Sequence, residues 1–389
     1  MSVLVRFLII TFAESFATTL IERGIYFYSH DRLGFGDMEN LGLALGFGAA
    51  YVSGAVASQA LAARVSEKRL MIFSIVAQIL CHFALFCWPF SPVAVVALNT
   101  ALGGLNGLKW PVIESYISAG RTPSQQAAVV GKFNLGWSVP IPLALLVAGP
   151  LIAWWASSLF ALAGLMNLVS LALAWPADRR PTHLAEDHPE RPTPEAMARY
   201  RGLLAASRST MFGSYSLLWV MAALLPGVYA GLDVSVQWAT ALSGVIDVVR
   251  ALTFLVLQLY VGWHFRRLPI VWVIFGLPLG FFAALYGPNV ATVLAGEVLF
   301  GAMAGMTYYA ALYYAMVVKN AAVEAGGAHE GLIGGAFVVG PVAGLLGRLA
   351  APAVGGAVLG MAVGIGPVIL ACGAAATWFL VKTGRSRRP

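Results

Sequence analysis

The sequence predicts an all-α integral membrane protein of 12 transmembrane helices in two pseudo-symmetric six-helix bundles. Three observations carry this. First, 59 % of the 389 residues are hydrophobic and only 11 % are charged, with a mean hydropathy of +0.80. A soluble domain carries about 25 % charged residues, so this surface calls for lipid. Second, the basic residues alternate sides along the chain. Third, the two halves of the chain repeat.

Apolar runs place helices near 5–28, 40–62, 70–88, 93–118, 127–150, 153–175, 208–231, 236–262, 269–287, 290–318, 331–350 and 354–381. Each is about the ~20 residues that cross a bilayer. The first run follows Arg6 like a signal peptide, but Glu14 interrupts it and no small-residue cleavage site follows, so it reads as a retained helix. Within 127–175 and 331–381 only proline, glycine and small residues separate neighbouring helices, so those boundaries are the least marked. Pro140 and Pro142 in the fifth helix and Pro341 in the eleventh should kink them.

One set of alternate loops, with both termini, holds 19 of the 24 Lys and Arg residues, among them Arg64, Lys68, Arg69, Arg266 and Arg267. The opposite loops hold Arg32 and little else. This asymmetry predicts an even number of spans, with both termini in the cytoplasm of a cell that holds the protein in its inner membrane. It also explains the net charge of +7 as topology, not as a nucleic-acid footprint. Residues 177–206 are polar and proline-rich, and read as a cytoplasmic linker. The expected organisation is a bundle over 1–176, the linker over 177–206 and a second bundle over 207–389.

The repeat supports that division. Lys68-Arg69-Leu70-Met71-Ile72 recurs as Arg266-Arg267-Leu268-Pro269-Ile270, and Gly107-Leu108-Lys109-Trp110 recurs as Gly305-Met306-Thr307-Tyr308, both at an offset of 198. Gly131 to Gly136 echoes Gly335 to Gly340 at an offset of 204. Parallel six-helix repeats are a transporter architecture.

With these features the chain resembles the major facilitator superfamily. The loop Gln59 to Arg69 is similar to its signature Gly-x-Leu-Ala-Asp-Arg-x-Gly-Arg-Arg: Leu61, Ala62, Arg64 and the basic end Lys68-Arg69 match, whereas Ala63 replaces the Asp and Ser66 the loop Gly. Gly340-Pro341-x-x-Gly344 resembles the Gly-Pro-x-x-Gly element of the superfamily's antiporters, but stands in the eleventh helix and not in the fifth. The resemblance implies a secondary transporter of a small organic solute, symporter or antiporter, working by alternating access with a proton or sodium gradient. A drug or metabolite efflux antiporter, and a non-transporting sensor or assembly protein with a transporter fold, are the alternatives. A monomer is expected. No nucleotide-binding motif or nucleophile–base set is present, so neither an enzyme nor a cofactor is expected.

A charge at bilayer depth costs at least ~2.5–3.5 kcal/mol and normally faces a partner or a wet cavity. At ~1.5 Å per residue, Glu14, Lys109 and Arg250 all fall roughly 14–18 Å from the cytoplasmic side. With Asp247, three residues before Arg250, they are the expected substrate and coupling residues. Glu14 beside Lys109 suits proton coupling, in which a desolvated carboxyl trades its proton against a cation. Glu22, Arg23, Glu297 and Arg348 lie further out and suit an outer gate. Asn106, Trp110, Glu114, Tyr308 and Tyr309 are candidates to line a cavity, and Arg64, Lys68 and Arg69 form the cytoplasmic loop motif. Glu22-Arg23-Gly24-Ile25-Tyr26-Phe27-Tyr28 also resembles the end of a motif of proton-coupled oligopeptide transporters, which implies a proton-carrying Glu22 and an amine-binding Glu297. Thr19 stands where that motif's first Glu belongs, and Trp110 separates Lys109 from Pro111. His329-Glu330, read as part of a glycine-rich loop, cannot complete a metal site, and no His-Glu-x-x-His is present, so no metal is expected. Cys81, Cys87 and Cys372 sit in apolar stretches and read as inert buried thiols.

Overall fold

A computed structural model describes residues 2–120, 123–181, 194–264, 266–319 and 323–385. The first half comprises α1 (Val3–Glu22), α2 (Gly24–Leu33), α3 (Asp37–Val65), α4 (Glu67–Cys87), α5 (Pro92–Ser118), α6 (Pro123–Ser138), α7 (Pro140–Trp154) and α8 (Ser158–Ala174). The second comprises α9 (Pro194–Gly231), α10 (Val236–Ser243), α11 (Val245–Leu259), α12 (Leu268–Tyr286), α13 (Val290–Lys319), α14 (Val323–Val354) and α15 (Ala357–Arg385). Three spans are interrupted rods: α1 with α2, α6 with α7, and α10 with α11. Joining them leaves twelve spans among the described residues, six in each half.

Ten of these are apolar enough to cross a membrane by composition alone, and α8 is a shorter apolar helix. The twelfth, α5, falls outside that criterion because its buried side includes Asn99, Asn106, Lys109 and Glu114. The outer surface carries Phe83, Phe275, Leu279 and Leu370, each more than 60 % exposed, as suits contact with acyl chains. Trp88, Trp154, Trp155, Trp175 and Trp238 are exposed at or near helix ends, where indole rings favour the membrane interface.

The helix breaks have local causes. Pro140 and Pro142 remove two backbone donors and separate α6 from α7. Arg23, at φ −122° and ψ −46°, departs from helical geometry between α1 and α2, and its guanidinium reaches the Ser243 carbonyl at the α10 break, 3.5 Å away. Two discontinuities thus face each other across the halves, one supplying a donor to the other's carbonyl.

Elements differ from the expected runs mainly at their ends. The helix expected over 208–231 begins at Pro194, so the last part of the expected linker is α-helical; residues 182–193 lie outside the described residues. The helix expected from 331 begins at Val323, so His329 and Glu330 are buried helix residues and not part of a loop. The helix runs through Gly326 and Gly327 although each costs roughly 1 kcal/mol relative to alanine in a helix.

The basic loop between α3 and α4 is tied to the chain that follows α8. Arg180 donates to the Ala63 carbonyl at 3.0 Å, and the Lys68 amide to the Arg179 carbonyl at 3.4 Å. Arg6 donates to the Pro176 carbonyl at 3.3 Å. The N-terminus and this loop therefore share one face, and twelve alternating spans bring the C-terminus to it. Ser66, at the loop's turn, adopts φ +90° and ψ 151°, a region that strains any residue with a Cβ by about 1–3 kcal/mol. Ser66→Gly is expected to raise the thermal unfolding midpoint, with a gain of about 1 kcal/mol once glycine's added chain entropy is deducted. An unchanged or lower midpoint would show that the strain is not there.

Candidate functional site

Between the halves lies a cavity whose wall is drawn from both six-helix bundles, the kind of concave, largely apolar place where small molecules bind. Aromatic rings form much of its wall: Trp110, Phe133, Trp137, Tyr215, Trp219, Tyr308 and Phe337. Trp219 stacks on Phe337 with ring centroids 3.5 Å apart, and Trp137 meets Tyr308 edge-on at 4.7 Å. Four ionisable side chains, Glu22, Arg23, Arg250 and Glu330, reach the same wall. Arg250 lies with its guanidinium carbon 4.8 Å from the Trp137 ring centre, in cation–π geometry.

On the side away from the termini, an ionic bridge joins the halves at the cavity wall. Arg23 lies 3.1 Å from one oxygen of Asp247, and Arg250 lies 2.6 Å from the other. All three side chains are at least 95 % buried. The i, i+3 spacing puts Asp247 and Arg250 on one face of α11, but it could not show that Arg23 from α1–α2 completes the group. Nearer that surface, Arg348 of α14 pairs with Asp37 of α3 at 2.5 Å. Gly149 of α7 also meets α10 closely across the halves: a Cβ there would stand 2.4 Å from the Thr240 hydroxyl and 2.6 Å from the Val236 carbonyl.

Towards the termini, Tyr51 of α3 donates a hydrogen bond to Glu330 of α14, again between halves. The carboxyl groups of Glu330 and of Glu114, from α5, and the imidazole of His329 converge, with one ligand atom of each within 4.8 Å of the others. All three residues are buried. The Glu114 and Glu330 carboxyls are close enough to share a hydrogen bond, which needs a proton between them. Glu114 supplies the third ligand-type group that the adjacent pair His329-Glu330 lacks in the sequence.

Glu14 and Lys109 meet, but they are not among the residues lining the cavity. Their fully buried ion pair sits inside the first half, within a closed polar network. Lys109 also donates to Gln78 of α4 at 2.9 Å. Asn167 of α8 donates to both Glu14 oxygens at 3.0 Å. Gln78 and Thr18 each donate to the Asn106 side-chain oxygen at 3.0 Å. The network joins α1, α4, α5 and α8, so both charges have fixed partners that do not depend on a solute. Gln78 and Asn167 are neutral and isolated in apolar runs, and only the folded packing reveals them as partners.

The remaining candidates separate. Trp110 and Tyr308 line the cavity; Asn106 belongs to the network; Tyr309 packs against Phe254 and Trp263 instead. Glu22 faces the cavity. Glu297 accepts a hydrogen bond from Tyr229 at 2.9 Å inside the second half. Arg64 and Arg69 lie on the face that carries the N-terminus, in and beside the turn that holds Ser66. Cys87 is exposed at the end of α4, not buried; Cys81 and Cys372 are partly buried.

The family model described as Major Facilitator Superfamily matches residues 2–344. The chain belongs to the major facilitator superfamily. It is a multi-pass membrane transporter of that superfamily and not an enzyme. No curated protein matches it by sequence. Among solved structures, the crystal structure of a mutant of the nucleoside transporter NupG superposes with a TM-score of 0.65 at 11 % identity, over 100 % of both chains. At that identity the likeness concerns the superfamily fold.

Proposed function

We propose that this superfamily member is a secondary active transporter that carries a small organic solute, in symport or antiport with protons, by exposing the aromatic cavity alternately to the two sides. The observation that carries this reading is the cavity itself: aromatic walls for a planar or apolar body, and charges of both signs for a polar group. Arg23 and Arg250 already hold Asp247. A solute with an anionic or strongly accepting group would compete for the same guanidinium groups, and so loosen the bridge between the halves. Binding and opening would then be linked, as alternating access requires.

Glu22 is the carboxyl we assign to proton coupling, because it faces the cavity beside that bridge. We read the Glu14–Lys109 pair as the element that holds the first half together. The distribution of Lys and Arg favours a cell-membrane protein with both termini in the cytoplasm. We place the functional halves at 1–176 and 207–389, on either side of the 177–206 segment.

The first experiment is a thermal-stabilisation screen of the purified protein with small organic solutes, nucleosides among them because the similar solved structure is a nucleoside transporter. A solute present at 100 times its Kd stabilises by about 2.7 kcal/mol, a readily measured shift. The hit is then tested for uptake into proteoliposomes under an imposed pH gradient. Glu22→Gln is expected to abolish gradient-driven accumulation while leaving solute exchange. Accumulation equal to wild type in Glu22→Gln would refute this assignment, and a gradient-independent flux in the unaltered protein would refute proton coupling.

A further inference from the structure

Beyond solute transport, we infer that Glu114, His329 and Glu330 form a binding site for a divalent transition-metal ion, which clamps the two halves together on the side of the cavity that faces the termini. The three ligand atoms lie within 4.8 Å of one another, and the side chains are 2 %, 0 % and 4 % exposed. Neither nitrogen of His329 has a hydrogen-bond partner among the described residues, while the carboxyl groups of Glu114 and Glu330 are close enough to share a proton. Buried polar atoms are nearly always satisfied, so a buried imidazole with both nitrogens unpartnered, beside two carboxyl groups, asks for a ligand. A proton shared by Glu114 and Glu330 satisfies one oxygen of each carboxyl but leaves the imidazole without a partner. One metal ion would bind an oxygen of each carboxylate and one nitrogen of the imidazole together.

The donor set defines the class of ion. Two carboxylates with one imidazole suit Zn²⁺, Mn²⁺ or Co²⁺ better than Mg²⁺ or Ca²⁺, which favour oxygen alone. Bonds of ~2.1 Å put ligand atoms about 3–3.5 Å apart, which side-chain rotation reaches from the observed spacing. Tyr51 donates to Glu330 and so fixes that carboxylate from behind, as an outer-shell partner should. Glu114 comes from the first half and His329 and Glu330 from the second, so an ion here cross-links α5 to α14. It would enter when the halves part on that side, and hold them closed once bound. Glu330 also lines the solute cavity, so the metal would act next to the transported solute.

The test uses tag-free, full-length protein titrated with CoCl₂ and ZnCl₂, followed by calorimetry and by the visible absorption of bound Co²⁺. We expect one ion per chain, with a Co²⁺ spectrum that includes nitrogen ligation. Glu114→Gln and His329→Gln should each weaken binding at least about tenfold, and Tyr51→Phe about tenfold with all three ligands retained. Gel filtration and circular dichroism identify variants that fold. If a ligand variant does not fold, the wild-type stoichiometry and spectrum with Tyr51→Phe still decide. Absence of stoichiometric binding by the wild-type protein, or binding unchanged in the folded ligand variants, overturns the proposal. So does a chain that binds no metal but takes up one proton that Glu114→Gln removes, since the carboxyl pair then holds a proton. The readouts require no transport, so their failure is distinct from failure of the solute reading.

Discussion

Lys109→Met alone is expected to cost the folded protein about 3–5 kcal/mol, because it leaves the Glu14 carboxylate buried without its cation. Glu14→Leu alone should cost a similar amount by stranding the ammonium. The double variant Glu14→Leu with Lys109→Met should recover most of the loss, since replacing a buried ion pair by apolar groups of similar size is often neutral or favourable. Asn167 and Gln78 moderate the recovery, because each keeps a polar atom that loses its charged partner. The measurement is the thermal unfolding midpoint of the four proteins in one detergent. A double variant as unstable as the worse single would show that the charges do more than neutralise each other. Uptake by the folded double variant then separates structural support from coupling: on our reading it persists.

The second large effect concerns glycines, and its direction depends on which surfaces they separate. Gly107 lies within the first half, where a Cβ would stand 2.1 Å from the Tyr51 carbonyl. Gly107→Val is expected to prevent α3 and α5 from packing, and so to abolish folded protein. Gly149 lies between the halves, against Thr240 and the Val236 and Gln237 carbonyls. Gly149→Val should leave each half intact but wedge α7 away from α10. Overpacking of this kind costs roughly 1–3 kcal/mol, which is about a 5- to 150-fold shift in population. Folded, monodisperse protein with slowed uptake is the expected outcome, and spin-label distances between α7 and α10 should lengthen. A Gly149→Val protein that transports at the wild-type rate would mean that this contact does not close in the cycle.

The architecture was legible because it is written in averages: hydropathy over ~20 residues, the side on which Lys and Arg accumulate, and a repeat at constant offset. Depth along a helix was also legible. Counting residues put Glu14 and Lys109 at one level, and the fold brings them together. Rotation about the helix axis was not. A helix that is apolar all round carries little sign of which side faces a cavity and which faces a neighbouring helix, so a pair held inside the first half looked like a cavity pair. Arg23 and Asp247 show the other limit, since a contact between halves depends on how two bundles dock. Glu330 shows a third: the glycines before it suggest a loop, although the helix runs through them. Of the cavity wall, Trp110 and Tyr308 stood out through the repeat, while Trp137, Tyr215, Trp219 and Phe337 are unremarked aromatics until the halves assemble.

Alternating exposure of the cavity is the centre of this account, and thiol accessibility tests it most directly. Ser15 lines the cavity and is small enough to become cysteine with little disturbance. In a background where Cys81, Cys87 and Cys372 are replaced, Ser15→Cys would be challenged with a membrane-impermeant thiol reagent from each side of oriented vesicles. The account predicts reaction from both sides, with labelling from one side protecting against the other and a bound solute slowing both. Reaction from one side only, whatever solute or gradient is applied, would contradict it.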